Sequence, residues 1–312
     1  MESSKTKIKL RKPFLKWVGG KTQIIDKIMN KLPCKMENYH ELFLGGGSVL
    51  LAVLTLQKHT KISIKNKVYA YDLNLGLINT FKQIQYNYKR VITEINILIK
   101  EFKSIKINTV GQRGAPKNID ESNYKTTREH YYYWIRSKFN ACDKTTLESA
   151  VYFIFLNKTS FRGMYREGKN GIYNIPYGLK DKKSIPAIIH ESEIEKISIL
   201  IQNVEFIHSD FSDSIKNVGN GDYVYLDPPY APENSKSFVG YTKNGFNGNI
   251  HKKLFDEILK LDKKNIKFSM SNAKVDLVMN YFKNFKCDDI IARRAINSKN
   301  PGSTAKEVLV SN

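Results

Sequence analysis

Seven short runs rich in β-branched and aromatic residues punctuate the chain, and most of them close on Asp, Asn or Gly. They are YHELFLGGG from residue 39, KVYAYDLN from 67, VEFIHSDF from 204, DYVYLDPPY from 222, NIKFSMSNA from 265, CDDIIAR from 287 and EVLVSN from 307. Runs of this length and composition read as buried strands ending in polar turns. Helical stretches such as SVLLAVLTLQKH (48–59) and HKKLFDEILKLDKK (251–264) lie between them. The combination specifies an α/β fold with a mostly parallel sheet. In such sheets the ligand crevice sits at the carboxyl ends of the strands, where these polar residues fall.

The pattern breaks after Asp72. From about residue 75 to 186 the chain turns helical and aromatic (INTFKQIQYNYKRVITEINILIKEF, then EHYYYWIRSKFNA) and carries a polar stretch at 104–127, the expected mobile loop. It then gives RGMYREGKNGIYNIPYG, in which Asn170-Gly171 is a hairpin-turn signal between strand-like residues. The block reads as a domain inserted into the sheet domain, so the expected division is 1–74, 75–186 and 187–312. Lys and Arg number 51 against 30 Asp and Glu, a formal charge of +21. A field of that size favours a polyanionic partner, nucleic acid above all, although a lysine-rich composition alone also leaves solvated lysines. Cys34, Cys142 and Cys287 lie far apart with no C-x-x-C spacing, so neither a zinc site nor a disulfide framework is expected. The charged start MESSKTKIKLRK has no apolar stretch behind it, and no window approaches the roughly 20 apolar residues of a membrane span. A soluble, intracellular protein is expected.

Four motifs carry chemistry. FLKWVGGKTQ (14–23) ends in Gly-Gly-Lys-Thr, like a phosphate loop feeding an ATPase that acts on nucleic acid. That loop needs glycine at residue 15, where this chain has Leu15, and a buried strand ahead of it. The glycines Gly45, Gly46 and Gly47 sit between a strand and a helix, where a ligand approaches the backbone. Asp72, ending the next strand, is placed to accept the hydroxyls of a ribose. Together they indicate an adenosine-containing cofactor; a tight turn and a capping Asp are the plainer alternative. DPPY (Asp227, Pro228, Pro229, Tyr230) follows a buried strand, and its prolines end the ladder and stiffen the loop. The Asp227 carboxylate and Pro228 carbonyl suit the two hydrogens of an exocyclic amine, and Tyr230 suits the planar ring that bears it. Residues 158–183 hold seven Lys or Arg against Glu167 and Asp181, interleaved with Phe161, Tyr165, Tyr173 and Tyr177. Cations and aromatics on one ribbon suit phosphate contacts and base stacking; aromatics packed inward are the alternative.

PFLKWVGGK, ELFLGGGS, YDLN, FLNKTSFRGMYREGKNGIYNIPYG, YVYLDPPYAP and RRAIN…KEVLVSN, in this order, resemble the Dam-type, D12-class DNA adenine-N6 methyltransferases almost end to end. The resemblance implies a Rossmann-like S-adenosylmethionine-dependent methyltransferase sheet with an inserted, mainly helical target-recognition domain carrying a β-hairpin. It implies methyl transfer to a flipped adenine in a short duplex DNA site, GATC-like or a longer one containing GAT. RNA or protein as acceptor is the alternative within methyl transfer. S-adenosylhomocysteine would be the product, no metal is implied, and a monomer is expected, with a cognate restriction endonuclease as a conceivable partner. By the same resemblance Trp17, Lys21, Phe43, Gly45, Gly47, Asp72, Asp210, Phe211 and Asp227 would line the cofactor site. Asp227, Pro228, Pro229 and Tyr230 would hold the target adenine. Lys16, Phe161, Arg162, Arg166 and Tyr177 would face DNA, Lys16 and Arg166 as base readers; Asn157 is given no base contact. Two departures stand out: Glu41-Leu42-Phe43 replaces an acid-Pro-Phe run, and Arg162 replaces the Asn of many GATC-specific relatives, which opens the identity of the target.

Overall fold

The computed structural model describes residues 8–106, 116, 118–179, 187–232, 246–293 and 304–312. Each of the seven runs contributes a strand to one sheet: β1 Tyr39–Glu41, β2 Val68–Asp72, β3 Val204–His208, β4 Tyr223–Leu226, β5 Lys267–Ala273, β6 Lys286–Arg293 and β7 Thr304–Ser311. Their spatial order is β3-β2-β1-β4-β5-β7-β6. The first five are parallel, with Tyr39 opposite both Val68 and Tyr223, while β7 runs antiparallel to β5 and to β6. A separate parallel pair joins Lys35–Met36 to Ser63–Ile64.

The sheet is buried on both faces because successive residues enter opposite cores. On β4, Tyr223 and Tyr225 join one cluster while Val224 and Leu226 join the other. The first core is covered by α1 (Ile25–Met29), α2 (Ser48–Lys58), α3 (Leu75–Ser104), α4 (Arg128–Ala141), α5 (Leu147–Thr159) and α6 (Glu191–Leu200); the second by α7 (Phe211–Ser214), α8 (Gly248–Lys263) and α9 (Asp276–Tyr281).

The described part of residues 75–186 gives no strand to this sheet. It begins with the 30-residue α3, whose Asn74 cap accepts from the Leu77 amide. The helix kinks at Asn87 (φ −132°, ψ 24°). Two residues earlier, the Gln85 side-chain amide donates to the carbonyls of Ile201, Gln202 and Val204, and the Gln202 side-chain amide donates back to the Gln85 carbonyl at 2.7 Å. A side chain inserted at the ladder is a sufficient cause for the kink. Of the expected mobile stretch at 104–127, residues 107–115 and 117 lie outside the described residues; 120–126 form hydrogen-bonded turns.

The basic hairpin departs from a two-stranded ribbon. Asn170-Gly171 does turn the chain, with Gly171 at φ +75° and its amide on the Gly168 carbonyl. The two arms form no continuous ladder, only the isolated bridges Ser160–Tyr177 and Glu167–Tyr173 with scattered hydrogen bonds between, and Phe161–Gly163 wind into a single 3-10 turn. Gly178 closes the base, where a Cβ would stand 2.2 Å from the Ser160 carbonyl oxygen.

Candidate active site

The order β2-β1-β4 makes the gap between β1 and β4 the place where successive connections diverge to opposite sides of the sheet. A crevice opens there at the carboxyl ends. The residues at those ends are Gly45–Gly47 after β1, Asp72 closing β2, Asp210 and Phe211 after β3, and Asp227–Tyr230 after β4.

On one side of the crevice the chain is built around backbone. The Gly45 amide donates to Asp72 Oδ2 at 2.9 Å and the Asn74 amide to Oδ1 at 2.9 Å. Burial raises the Asp72 pKa, and these two donors offset only part of that rise. Gly45 sits at φ +49°, and a Cβ there would stand 2.9 Å from the Trp17 ring. Only glycine fits, so Trp17 closes down on the loop. Its own ring stacks on Tyr165 and Phe153, with centroids 5.9 and 6.4 Å apart. Phe43, Phe211 and Phe246 form an aromatic wall, Phe43 and Phe211 stacking at 6.0 Å. Asp210 caps α7 by accepting from the Ser212 amide at 2.8 Å. A bare glycine loop, a half-buried carboxylate at the neighbouring strand end and a wall of phenyl rings fit an adenosine-containing cofactor.

The other side is the DPPY loop, gripped at four successive points. Lys21, only 4% exposed, places Nζ 2.6 Å from Asp227 Oδ2 and 5.1 Å from the Tyr230 ring centre; it also donates to the Gly19 carbonyl. His251 Nε2 lies 2.9 Å from the Pro229 carbonyl, Tyr230 donates its hydroxyl to Glu307 Oε2 at 2.9 Å, and the Ala231 amide donates to Asn272 Oδ1 at 2.9 Å. Burial raises the Asp227 pKa while the Lys21 ammonium lowers it, and Glu307 adds to the rise. Glu41, 2% exposed beneath the site, has its pKa raised by burial and accepts from the Tyr39 hydroxyl at 2.8 Å. Lys21 opens a three-residue 3-10 turn, and residues 8–20 hold no strand. A phosphate loop needs that strand, and it needs its lysine unpaired, so the nucleotide-hydrolase alternative loses its ground.

The residues expected to face DNA divide in two. Phe161 is 44% exposed, with the Arg162 guanidinium 5.2 Å from its ring centre. Arg166 is exposed, its Nε donating to Asn174 Oδ1 at 2.9 Å, and the Lys16 side chain is exposed beside the hairpin. Tyr177 is different: at 3% exposure its ring lies against Tyr132 and Phe102 and supports the hairpin from within. Tyr165 and Tyr173 are likewise stacked inward, so the packing alternative holds for those three tyrosines. Asn157, which the sequence left without a base contact, is a clamp. Its Oδ1 accepts from the Lys16 amide at 2.9 Å, and its Nδ2 donates to the carbonyls of Lys16 (2.7 Å) and Gly163 (3.2 Å).

Glu307, His251 and Asn272 are site residues that sequence reasoning missed. Glu307 stands in the closing run quoted above, yet nothing in EVLVSN signals a partner in DPPY. Their common signal is three-dimensional: each lies on a chain-distant element whose register brings it to the end of β4.

A family model described as D12 class N6 adenine-specific DNA methyltransferase matches residues 17–296. The chain is 35% identical over 299 residues to a Type II methyltransferase, M.MjaIII, of Methanocaldococcus jannaschii, covering 92% of this chain and 93% of that protein. It is 29% identical over 315 residues to the Type II methyltransferase M1.LlaDCHI of Lactococcus lactis subsp. cremoris, covering 99% and 97%. To the DNA adenine methylase of Haemophilus influenzae it is 28% identical over 307 residues, covering 98% and 94%.

Proposed function

Because the chain belongs to the D12 class of N6 adenine-specific DNA methyltransferases, we propose that it moves a methyl group from S-adenosylmethionine to N6 of an adenine rotated out of duplex DNA. The observation that carries this reading is the convergence, at the end of β4, of the Asp227 carboxylate, the Tyr230 ring and the buried Lys21 ammonium beside a bare glycine loop. S-adenosylmethionine, when bound, supplies the methyl group in electrophilic form. Trp17, Lys21, Phe43, Gly45, Gly47, Asp72, Asp210, Phe211 and Asp227 are the residues proposed to hold it.

The chain's own task is to place and polarise a weakly nucleophilic amine. In this reading the Asp227 carboxylate accepts one amino hydrogen and the Pro228 carbonyl the other, which draws the nitrogen lone pair out of the ring. Tyr230 stacks on the base and offsets part of the few kcal/mol that unpairing costs. The methylated amine sheds a proton, and Asp227, whose proton affinity burial has raised, stands ready to take it. Lys21 keeps that carboxylate charged in the resting pocket.

Target choice is assigned to the hairpin and its neighbour, with Lys16 and Arg166 reading bases and Phe161 entering the stack. The proposed site is GATC-like or a longer one containing GAT. Residues 75–186 are the proposed recognition unit, between catalytic parts 1–74 and 187–312, and the protein acts as an intracellular monomer. Its Type II relatives make a restriction-modification setting, with a cognate endonuclease, part of the same proposal.

The test is expression in cells that lack adenine methylation, followed by long-read mapping of modified adenines. One motif methylated at adenine is expected. Asp227→Ala and Tyr230→Ala should each abolish most of the signal while leaving the circular-dichroism spectrum unchanged. Full methylation by both variants, or none by a folded wild type, overturns the reading. Methyl groups found on RNA or protein instead would redirect it.

A further inference from the structure

The strand β7 is the last in sequence, yet it is inserted between β5 and β6. Its register places Glu307 opposite Ala273 of β5 and Ile290 of β6. Ala273 follows Asn272, the residue that takes the Ala231 amide, so two neighbouring strands reach the DPPY loop side by side. Glu307 is the member that touches an aromatic side chain, through the 2.9 Å hydrogen bond from the Tyr230 hydroxyl.

A tyrosine ring held only at Cβ turns about two side-chain torsions, and a base stacked on it turns with it. In this pocket two contacts remove that freedom. Lys21 Nζ lies over one face, 5.1 Å from the ring centre, and Glu307 holds the phenolic end. Its acceptor is a carboxylate and the contact is half-buried, which makes the bond stronger than one between neutral partners.

We propose that Glu307 is a positioning residue for methyl transfer: by accepting the Tyr230 hydroxyl it fixes the plane of the ring on which the flipped adenine stacks. The inference rests on the adenine methyltransferase reading above. It acts at the chemical step, since the hydrogen bond is made to the DPPY loop itself.

The experiment compares full-length wild type, Glu307→Ala, Glu307→Gln, Tyr230→Phe and the Tyr230→Phe/Glu307→Ala double variant on a duplex carrying the mapped site. Single-turnover methylation, duplex Kd, and the emission of 2-aminopurine at the target position are measured. Glu307→Ala and Tyr230→Phe should each slow single turnover about tenfold, with duplex Kd within about twofold of wild type. Both should shift 2-aminopurine emission from the wild-type value in the same direction. The double variant should be no slower than the slower single one, because both changes remove one bond. Glu307→Gln retains an acceptor and should recover to within about threefold of wild type. Should Glu307→Ala fail to fold, Glu307→Met fills the same volume without an acceptor and takes its place. A wild-type rate in Glu307→Ala, or a double-variant loss equal to the product of the single losses, overturns the inference. A wild type that methylates no duplex defeats the underlying reading instead, so the two failures are separable.

Discussion

Among the described residues, Arg162 is one of four other than glycine with a left-handed backbone, at φ +57°. Side chains other than Gly, Asn and Asp pay for that conformation, on the order of 1 kcal/mol. The position where the resemblance leads one to expect Asn is thus a position whose backbone favours Asn, and this chain spends stability to carry a guanidinium there. Arg162→Asn should raise stability to urea by about 0.5–1 kcal/mol, read as a higher midpoint at unchanged slope, and alter which sites are methylated. A lower midpoint would show that the Arg162 side chain contributes more to the fold than its backbone costs. The sequence displayed the departure at residue 162 plainly, but its physical meaning needed a dihedral angle. The same holds for Tyr177. In the sequence it is one aromatic among four in a basic ribbon; only its burial against Tyr132 separates it from Phe161.

At the scale of elements, strands were the most legible part, because buried parallel strands are short, apolar and closed by polar residues, as KVYAYD and DYVYLD are. The helix α5 was not. LESAVYFIFLNKT is apolar on all sides, burying Ala150, Val151, Phe153, Ile154, Phe155 and Leu156, so no helical period emerges from it. The clamp at its end was equally hidden, since Asn157 joins three pieces of chain: α5, the segment carrying Lys16, and the 3-10 turn ending at Gly163. Asn157→Ala would strand one amide and two carbonyls in a site that is only 4% exposed. The expected cost is about 2–3 kcal/mol of stability, measured by urea unfolding. With it should come a relaxed choice of methylated sites, as Lys16 loses its fixed relation to the hairpin. Unchanged stability would mean that water replaces the clamp.

Across the whole molecule the dominant quantity is charge, +21 in the formal count. Self-repulsion of that size is relieved when a polyanion binds. Lys158 shows the repulsion locally: burial, and then the nearby Lys16 ammonium, lower its pKa to about 8. The unfolded chain binds the extra proton up to the ordinary lysine range. Folding is therefore favoured progressively as pH rises from about 8 toward 10.5, where the penalty on charged Lys158 fades. DNA binding runs the other way. Duplex affinity at fixed ionic strength should fall severalfold between pH 7 and 9 as Lys158 loses its charge, and Lys158→Arg should flatten that dependence. Anisotropy titrations read both, and a flat wild-type profile would remove Lys158 from the interface. The glycine-loop side of the candidate site was legible from sequence because Gly45 and Asp72 sit at strand ends. The grip on DPPY was not, because Lys21, His251, Asn272 and Glu307 come from four distant segments and meet only through topology. That topology also sets a schedule. A ribosome delivers β7 after every other strand, yet β7 must enter between β5 and β6 before Tyr230 finds Glu307. A nascent chain that has emerged only as far as β6 thus has its glycine loop, its DPPY sequence and its basic hairpin, but an open slot in its sheet. The grip on Tyr230 is completed only once β7 has been made and has entered the sheet, so closure of the pocket is a late event of sheet assembly.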